Sequence, residues 1–168
     1  IGIRDGRPER LELSGVEGRS ALSLRSTSFD VTVNPRFDDV AVDDLFAGEI
    51  LGLVELGVTN GCTPTSFCPR REVTRAEMAA FLVRALNLPP APGNSFSDDD
   101  RSVFEADIEA LRAAGISNGC STMSFCPGRV VTRAELAAFL ARGFDLDAAV
   151  GDTFSDDDGS SFEGDIEA

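Results

Sequence analysis

Asn60-Gly61-Cys62 returns as Asn118-Gly119-Cys120, and Ser66-Phe67-Cys68-Pro69 returns as Ser124-Phe125-Cys126-Pro127, each 58 positions later. Val73-Thr74-Arg75-Ala76-Glu77 returns as Val131-Thr132-Arg133-Ala134-Glu135 at the same offset, and Phe96-Ser97-Asp98-Asp99-Asp100 as Phe154-Ser155-Asp156-Asp157-Asp158. A diverged copy opens at Phe37-Asp38-Asp39-Val40. A fixed period of this length specifies a row of like units, each burying one face and needing a neighbour to close its core. The period divides the chain into a first repeat over 37–95, a second over 96–153 and the start of a third over 154–168. The third stops inside its first helix, so the sequence reads as lacking its last piece.

Within a repeat the helical spacing is clearest in the middle copy. Phe104, Ile108 and Leu111 fall at i, i+4 and i+7, and Gly115 follows as a C-terminal stop. Met78, Phe81, Leu82 and Ala85 are expected on one face of a second helix, with Leu136, Phe139 and Leu140 on that of its twin. Residues 1–36 stand outside the period. There Leu11 and Leu13, Leu22 and Leu24, then Phe29, Val31 and Val33 alternate with polar residues, the pattern of half-buried strands. The expected architecture is mainly α: tandem helix-loop-helix repeats forming a helical bundle, preceded by a short β-rich segment that ends an upstream domain or linker.

Composition narrows the chemistry. The chain has no His, which removes the commonest general base, the Ser-His and Cys-His nucleophile pairs and imidazole-ligated metals. Residues 1–36 carry no carboxylate pair at a diagnostic spacing, so no enzyme is predicted. Fifteen basic residues, all Arg, stand against 29 acidic ones, and a net charge of −14 repels nucleic acid and anionic membrane surfaces. No apolar run approaches the ~20 residues that cross a bilayer, so no membrane insertion is expected. Any acidic partner must be held by a local site.

Cys62 and Cys68, like Cys120 and Cys126, are separated by five residues. Pairing within each repeat is the economical solution, and it implies an extracytoplasmic home. A zinc site competes, but thiolate ligands usually stand two to four residues apart, and two loops would have to converge on it.

Thr74 with Glu77, and Thr132 with Glu135, have the spacing of a capping box, flanked by staple positions at Val73 and Met78 and at Val131 and Leu136. The arginine between them has no such explanation. At the first helical position Arg75 and Arg133 oppose the helix dipole by ~0.3–1 kcal/mol, so an anion is expected beside each. The anion is either a ligand carboxylate or phosphate, or one of the chain's own aspartates.

The acidic turns also allow two readings. Asp98, Asp100 and Ser102 stand at positions 1, 3 and 5 of a calcium loop with Glu109 twelfth, and Asp156, Asp158, Ser160 and Glu167 repeat the spacing. Position 6 is Val103 or Ser161 instead of glycine. Calcium at Asp98, Asp100, Asp156 and Asp158 competes with helix capping by the same aspartates. No other cofactor is suggested.

The order Phe-Ser-Asp-Asp, an amphipathic helix, Gly-Ile with Asn-Gly, a Phe-x-Pro loop, then Val-Thr-Arg-Ala-Glu with Ala-Ala-Phe-Leu resembles the S-layer homology repeat from Phe37 to Ala168. The resemblance implies a pseudo-threefold helical bundle on a bacterial cell surface or cell wall. It implies noncovalent anchoring to acidic cell-wall polysaccharide, with Arg75 and Arg133 contacting the ligand and Thr74, Glu77, Thr132 and Glu135 framing them. The cysteine-closed loops and the absence of lysine resemble an actinobacterial-type variant. Phe104 and Phe162 stand where the family often has Trp. On this reading, replacing Arg75 and Arg133 by Ala abolishes polysaccharide binding with little change in melting temperature. The alternative is a structural module whose repeats self-associate or bind other surface proteins, with calcium as the glue and no glycan.

Overall fold

The computed structural model describes residues 2–4, 7–9, 36–147 and 152–168. The chain divides into two compact units, Ile1–Arg71 and Glu72–Ala168. The division falls inside the first sequence repeat, so the second unit joins the end of that repeat to the second and to the start of the third.

In the first unit, β1 (Gly2–Arg4) pairs antiparallel with β2 (Arg7–Glu9), Ile3 opposite Pro8. The strands expected at Leu11 to Val33 lie outside the described residues. Helix α1 (Ala47–Glu55) points Ile50 and Val54 inward at i and i+4, where they meet Phe37, Val40, Ala47 and the half-buried Phe67. Gly57, in the left-handed region at φ 71°, ends the helix.

The second unit holds α2 (Arg75–Leu86), α3 (Glu105–Ala113), α4 (Arg133–Gly143) and α5 (Glu163–Ile166). Helix α2 packs on α3, and α4 on α5. Arg142 reinforces the latter pair, reaching the Asp165 carboxylate with Nε at 3.2 Å and Nη2 at 2.5 Å. The core gathers Ala76, Ala79 and Leu82 from α2, Ile108 and Leu111 from α3, Phe139 from α4, and Phe96, Ile116 and Phe125 from the loops. Ile108 and Leu111 sit on the face their spacing predicts, and Gly115 (φ 74°) closes α3.

The buried face of α2 differs from the expected one. Ala79, Ala80 and Leu82 are buried, Met78 and Phe81 are half-buried, and Ala85 is exposed. Arg75 is turned inward at the start of the helix, and residues at i+4 and i+7 from it, Ala79 and Leu82, share its face. Leu140 on α4 is likewise at the surface, and Ala138, Phe139 and Ala141 are buried.

Each cysteine pair closes within its own repeat, Cys62 to Cys68 and Cys120 to Cys126, with Cα atoms 6.0 Å apart. No cysteine is left to bind a metal. The closed loops are held to the acidic turns by the first aspartate after Phe-x. Asp39 accepts the amides of Phe67 (2.8 Å) and Cys68 (2.7 Å), and Asp98 those of Phe125 (2.7 Å) and Cys126 (2.9 Å). The Phe67 amide holds the Asp39 carboxyl below its ordinary value, against a smaller opposing effect of desolvation. Gly119 lies under the loop at φ 86°, where a Cβ would come 2.5 Å from the Ser124 carbonyl oxygen and 2.6 Å from the Phe96 ring. Only glycine fits that corner.

Closing so short a loop removes limited chain entropy. Replacing Cys120 and Cys126 together by Ser is expected to cost about 2 kcal/mol, measured by urea denaturation, since the entropy term grows only with the logarithm of loop length.

Candidate functional site at the motif arginines

Both capping boxes form. The Thr74 hydroxyl accepts from the Glu77 amide at 3.3 Å, and a Glu77 carboxylate oxygen accepts from the Thr74 amide at 3.0 Å. Thr132 and Glu135 repeat this at 3.2 Å and 3.1 Å. The geometry therefore fixes where each arginine leaves its helix. Beyond that point the two differ.

Arg75 is 2% exposed. Its Nε donates to the Phe125 carbonyl oxygen at 2.8 Å and its Nη1 to Glu135 Oε1 at 2.7 Å. The guanidinium carbon lies 4.8 Å from the centre of the Phe125 ring and 5.3 Å from that of Phe139. The first amides of α2 are occupied too: Arg75 donates to the Arg129 carbonyl (2.8 Å) and Ala76 to that of Pro127 (3.1 Å). The end of one repeat's second helix is thus completed by the loop and helix of the next.

Glu135 does double service. Oε2 closes the capping box, while Oε1 receives Arg75 and also Arg129, whose own side chain is half exposed. Burial pushes the Glu135 carboxyl up, but the Thr132 amide and the two guanidiniums outweigh it and hold the group below its ordinary value. Burial in turn lowers Arg75 from its ordinary value, opposed by the charge of Glu135.

Arg133 has the same place on α4 and a different environment. It is exposed, and among the described residues no hydrogen bond or ion pair reaches its side chain. No backbone carbonyl among the described residues accepts from the Arg133 or Ala134 amides, whose counterparts on α2 are engaged. A guanidinium fork and two free amides at a helix N-terminus can take a carboxylate or phosphate.

The acidic turns do not cap the helices that follow them. Asp98 clamps the cysteine loop, and Asp100 accepts from Asn94 Nδ2 at 2.9 Å. Neither caps α3, whose N-cap Phe104 has no side-chain bond. Asp156 and Asp158 are exposed. Among the described residues, the carboxylates that converge are Asp152, Asp157 and Glu167, with one oxygen of each within 4.8 Å of the others. A turn has no helical period, so its spacing in sequence does not show which aspartate points inward.

A family model for the S-layer homology domain matches residues 36–79 and 95–137. The chain belongs to the S-layer homology domain family. The S-layer protein sap of Bacillus anthracis is 33% identical over 119 residues, 70% of this chain and 14% of that protein. The surface-layer 125 kDa protein of Lysinibacillus sphaericus is 32% identical over 99 residues, 58% of this chain and 8% of the relative. An endoglucanase of Bacillus sp. (strain KSM-635) is 30% identical over 109 residues, 65% of this chain and 12% of the relative. The chain spans only a small part of each of these relatives, so the enzymatic name of one carries no catalysis to it. S-layer homology domains are cell-surface anchoring modules of S-layer proteins and surface enzymes, which places the chain at the cell surface or cell wall. Among the described residues, no helix is long and apolar enough to cross a membrane.

Proposed function

We propose that this S-layer homology region anchors a larger polypeptide noncovalently by gripping acidic cell-wall polysaccharide, and that Arg133 is the residue that meets the sugar acid. The observation carrying this reading is the contrast between two arginines in one motif. Arg75 has its anion in Glu135, whereas Arg133 stands exposed on α4 among free amides, in a chain of net charge −14. Thr132 and Glu135 fix the start of the helix and so the direction of the fork. Thr74, Glu77 and Arg75 do the same work one repeat earlier as internal scaffold, and no catalysis is involved.

The test is pull-down on purified cell-wall polysaccharide. Arg133→Ala is expected to abolish retention at moderate salt while leaving the melting temperature within experimental error. Arg133→Lys is expected to restore it only in part, because an ammonium lacks the two-pronged fit to a carboxylate. Retention of Arg133→Ala equal to that of the unaltered chain would overturn the reading.

A further inference from the structure

The three acidic turns differ at one inward-facing position. Asp39 and Asp98 each bind the amides of their own cysteine loop, and the residue that follows is Val40 in the first repeat and Asp99 in the second. The third repeat has Asp157 there, after Asp156. Val40 belongs to the core, 5% exposed, whereas Asp99 and Asp157 are 0% and 8% exposed. A second position changes with it. Five residues after the phenylalanine that precedes each helix stand Leu51, Glu109 and Glu167, following Phe46, Phe104 and Phe162. An apolar pair in the first repeat has become a pair of carboxyl groups in the other two.

A buried carboxylate must be paired, protonated or bound to a metal. Among the described residues, neither oxygen of Asp157 has a hydrogen-bond partner in another residue. Its carboxylate faces those of Asp152 and Glu167, with one oxygen of each lying within 4.8 Å of the others. Glu167 Oε1 accepts the amides of Thr153 (3.1 Å) and Phe154 (2.9 Å), and the Thr153 side chain also bonds the carboxylate, which fixes it in place beside Asp157. Three carboxylates this close repel one another unless a cation lies between them. Oxygens on opposite sides of a calcium ion are ~4.6–5.2 Å apart, so the spacing suits that ion. The donors are all oxygen, the chain has no His, and every cysteine is in a disulfide, which disfavours zinc.

We propose that Asp152, Asp157 and Glu167 bind a calcium ion where the third repeat begins, the last two at the repeat positions that the first repeat fills with Val40 and Leu51. The second repeat provides an internal control. There Asn94 replaces Asp152 and donates to Asp100, while Ser95 bonds Glu109 from its amide at 2.7 Å and its hydroxyl at 2.8 Å much as Thr153 bonds Glu167. Two carboxyl groups remain there, of which Asp99 alone lacks a partner among the described residues, so one ion per chain is expected.

Equilibrium dialysis of the chelator-stripped full chain against radiolabelled calcium tests this. One ion per chain is expected at about 10 mM, above the ~0.1–1 mM dissociation constants of extracellular oxygen-ligand sites, together with a rise in melting temperature. Asp157→Val puts the first repeat's residue into the third and is expected to lose both the ion and the calcium-dependent rise. Asp152→Asn, an exposed change copying the second repeat, is expected to weaken binding without affecting the fold. Asp158→Asn is expected to retain the ion. Absence of bound calcium in the unaltered chain, unchanged binding in Asp157→Val and Asp152→Asn, or loss of the ion in Asp158→Asn would overturn the assignment.

Discussion

Arg75→Ala lowers stability by about 3–5 kcal/mol, the cost of removing one partner from a buried ion pair. The substitution leaves Glu135 buried with only the half-exposed Arg129 to balance it, removes the donor to the Phe125 carbonyl, and opens a space between the rings of Phe125 and Phe139. Arg75→Lys is expected to recover little, because Nε and Nη1 serve two acceptors that a single ammonium cannot span in the same way. Arg133→Ala, in the identical motif, stays within about 0.5 kcal/mol of the parent, as surface changes do. Urea denaturation of the three variants reads the difference directly. Equal midpoints for Arg75→Ala and Arg133→Ala would show that Arg75 is not neutralised inside the protein. The motif alone predicts equal and small effects for both arginines. The structure separates them because the start of α2 is met by the next repeat's cysteine loop and second helix, whereas among the described residues nothing equivalent meets the start of α4.

Asp99→Val is expected to raise stability at pH 7 by roughly 3 kcal/mol, the free energy of a carboxyl displaced by about two pKa units. Burial, followed by the charges of Glu109, Glu105 and Asp98, pushes the Asp99 carboxyl up to about 6. A folded-state value above the unfolded one means that the native state holds its proton more tightly. Asp99 therefore costs nothing below pH ~4, and between pH ~4 and ~6 its contribution becomes progressively unfavourable as the pH rises. The gain from Asp99→Val should be largest at neutral pH and shrink toward zero near pH 4. Glu135 acts with the opposite sign: its folded-state value is lowered, so its contribution is present at neutral pH and lost as acid protonates it. Thermal melts of both chains across this range separate the two slopes, and a pH-independent gain from Asp99→Val would refute the burial argument.

Much of this was legible in the residues themselves. The disulfide pairing follows from the repeat, and both capping boxes form as Thr-x-x-Glu spacing requires. The inward positions of α3 follow from its 3.6-residue period. The partner of Arg75 was not legible, because Glu135 is already accounted for locally by Thr132 and its spare oxygen has no sequence signature. The inward aspartate was missed for a related reason. Calcium-loop spacing draws attention to Asp98 and Asp100, whereas aligning Phe37-Asp38-Asp39-Val40 on Phe96-Ser97-Asp98-Asp99 sets Asp99 against a core valine. The signal was present in the comparison between repeats and absent from either repeat alone.

The boundary between Arg71 and Glu72 has a practical and an evolutionary meaning. A fragment cut at Phe96, where the written motif begins, would forfeit Ala76, Ala79 and Leu82 and strand Glu135 without Arg75. A fragment begun at Glu72 retains them. Within Glu72–Ala168 the second helix of one period packs on the first helix of the next. Unequal crossing-over that inserts or deletes 58 residues there would still set such a pair side by side, so copy number can drift without a new interface having to evolve.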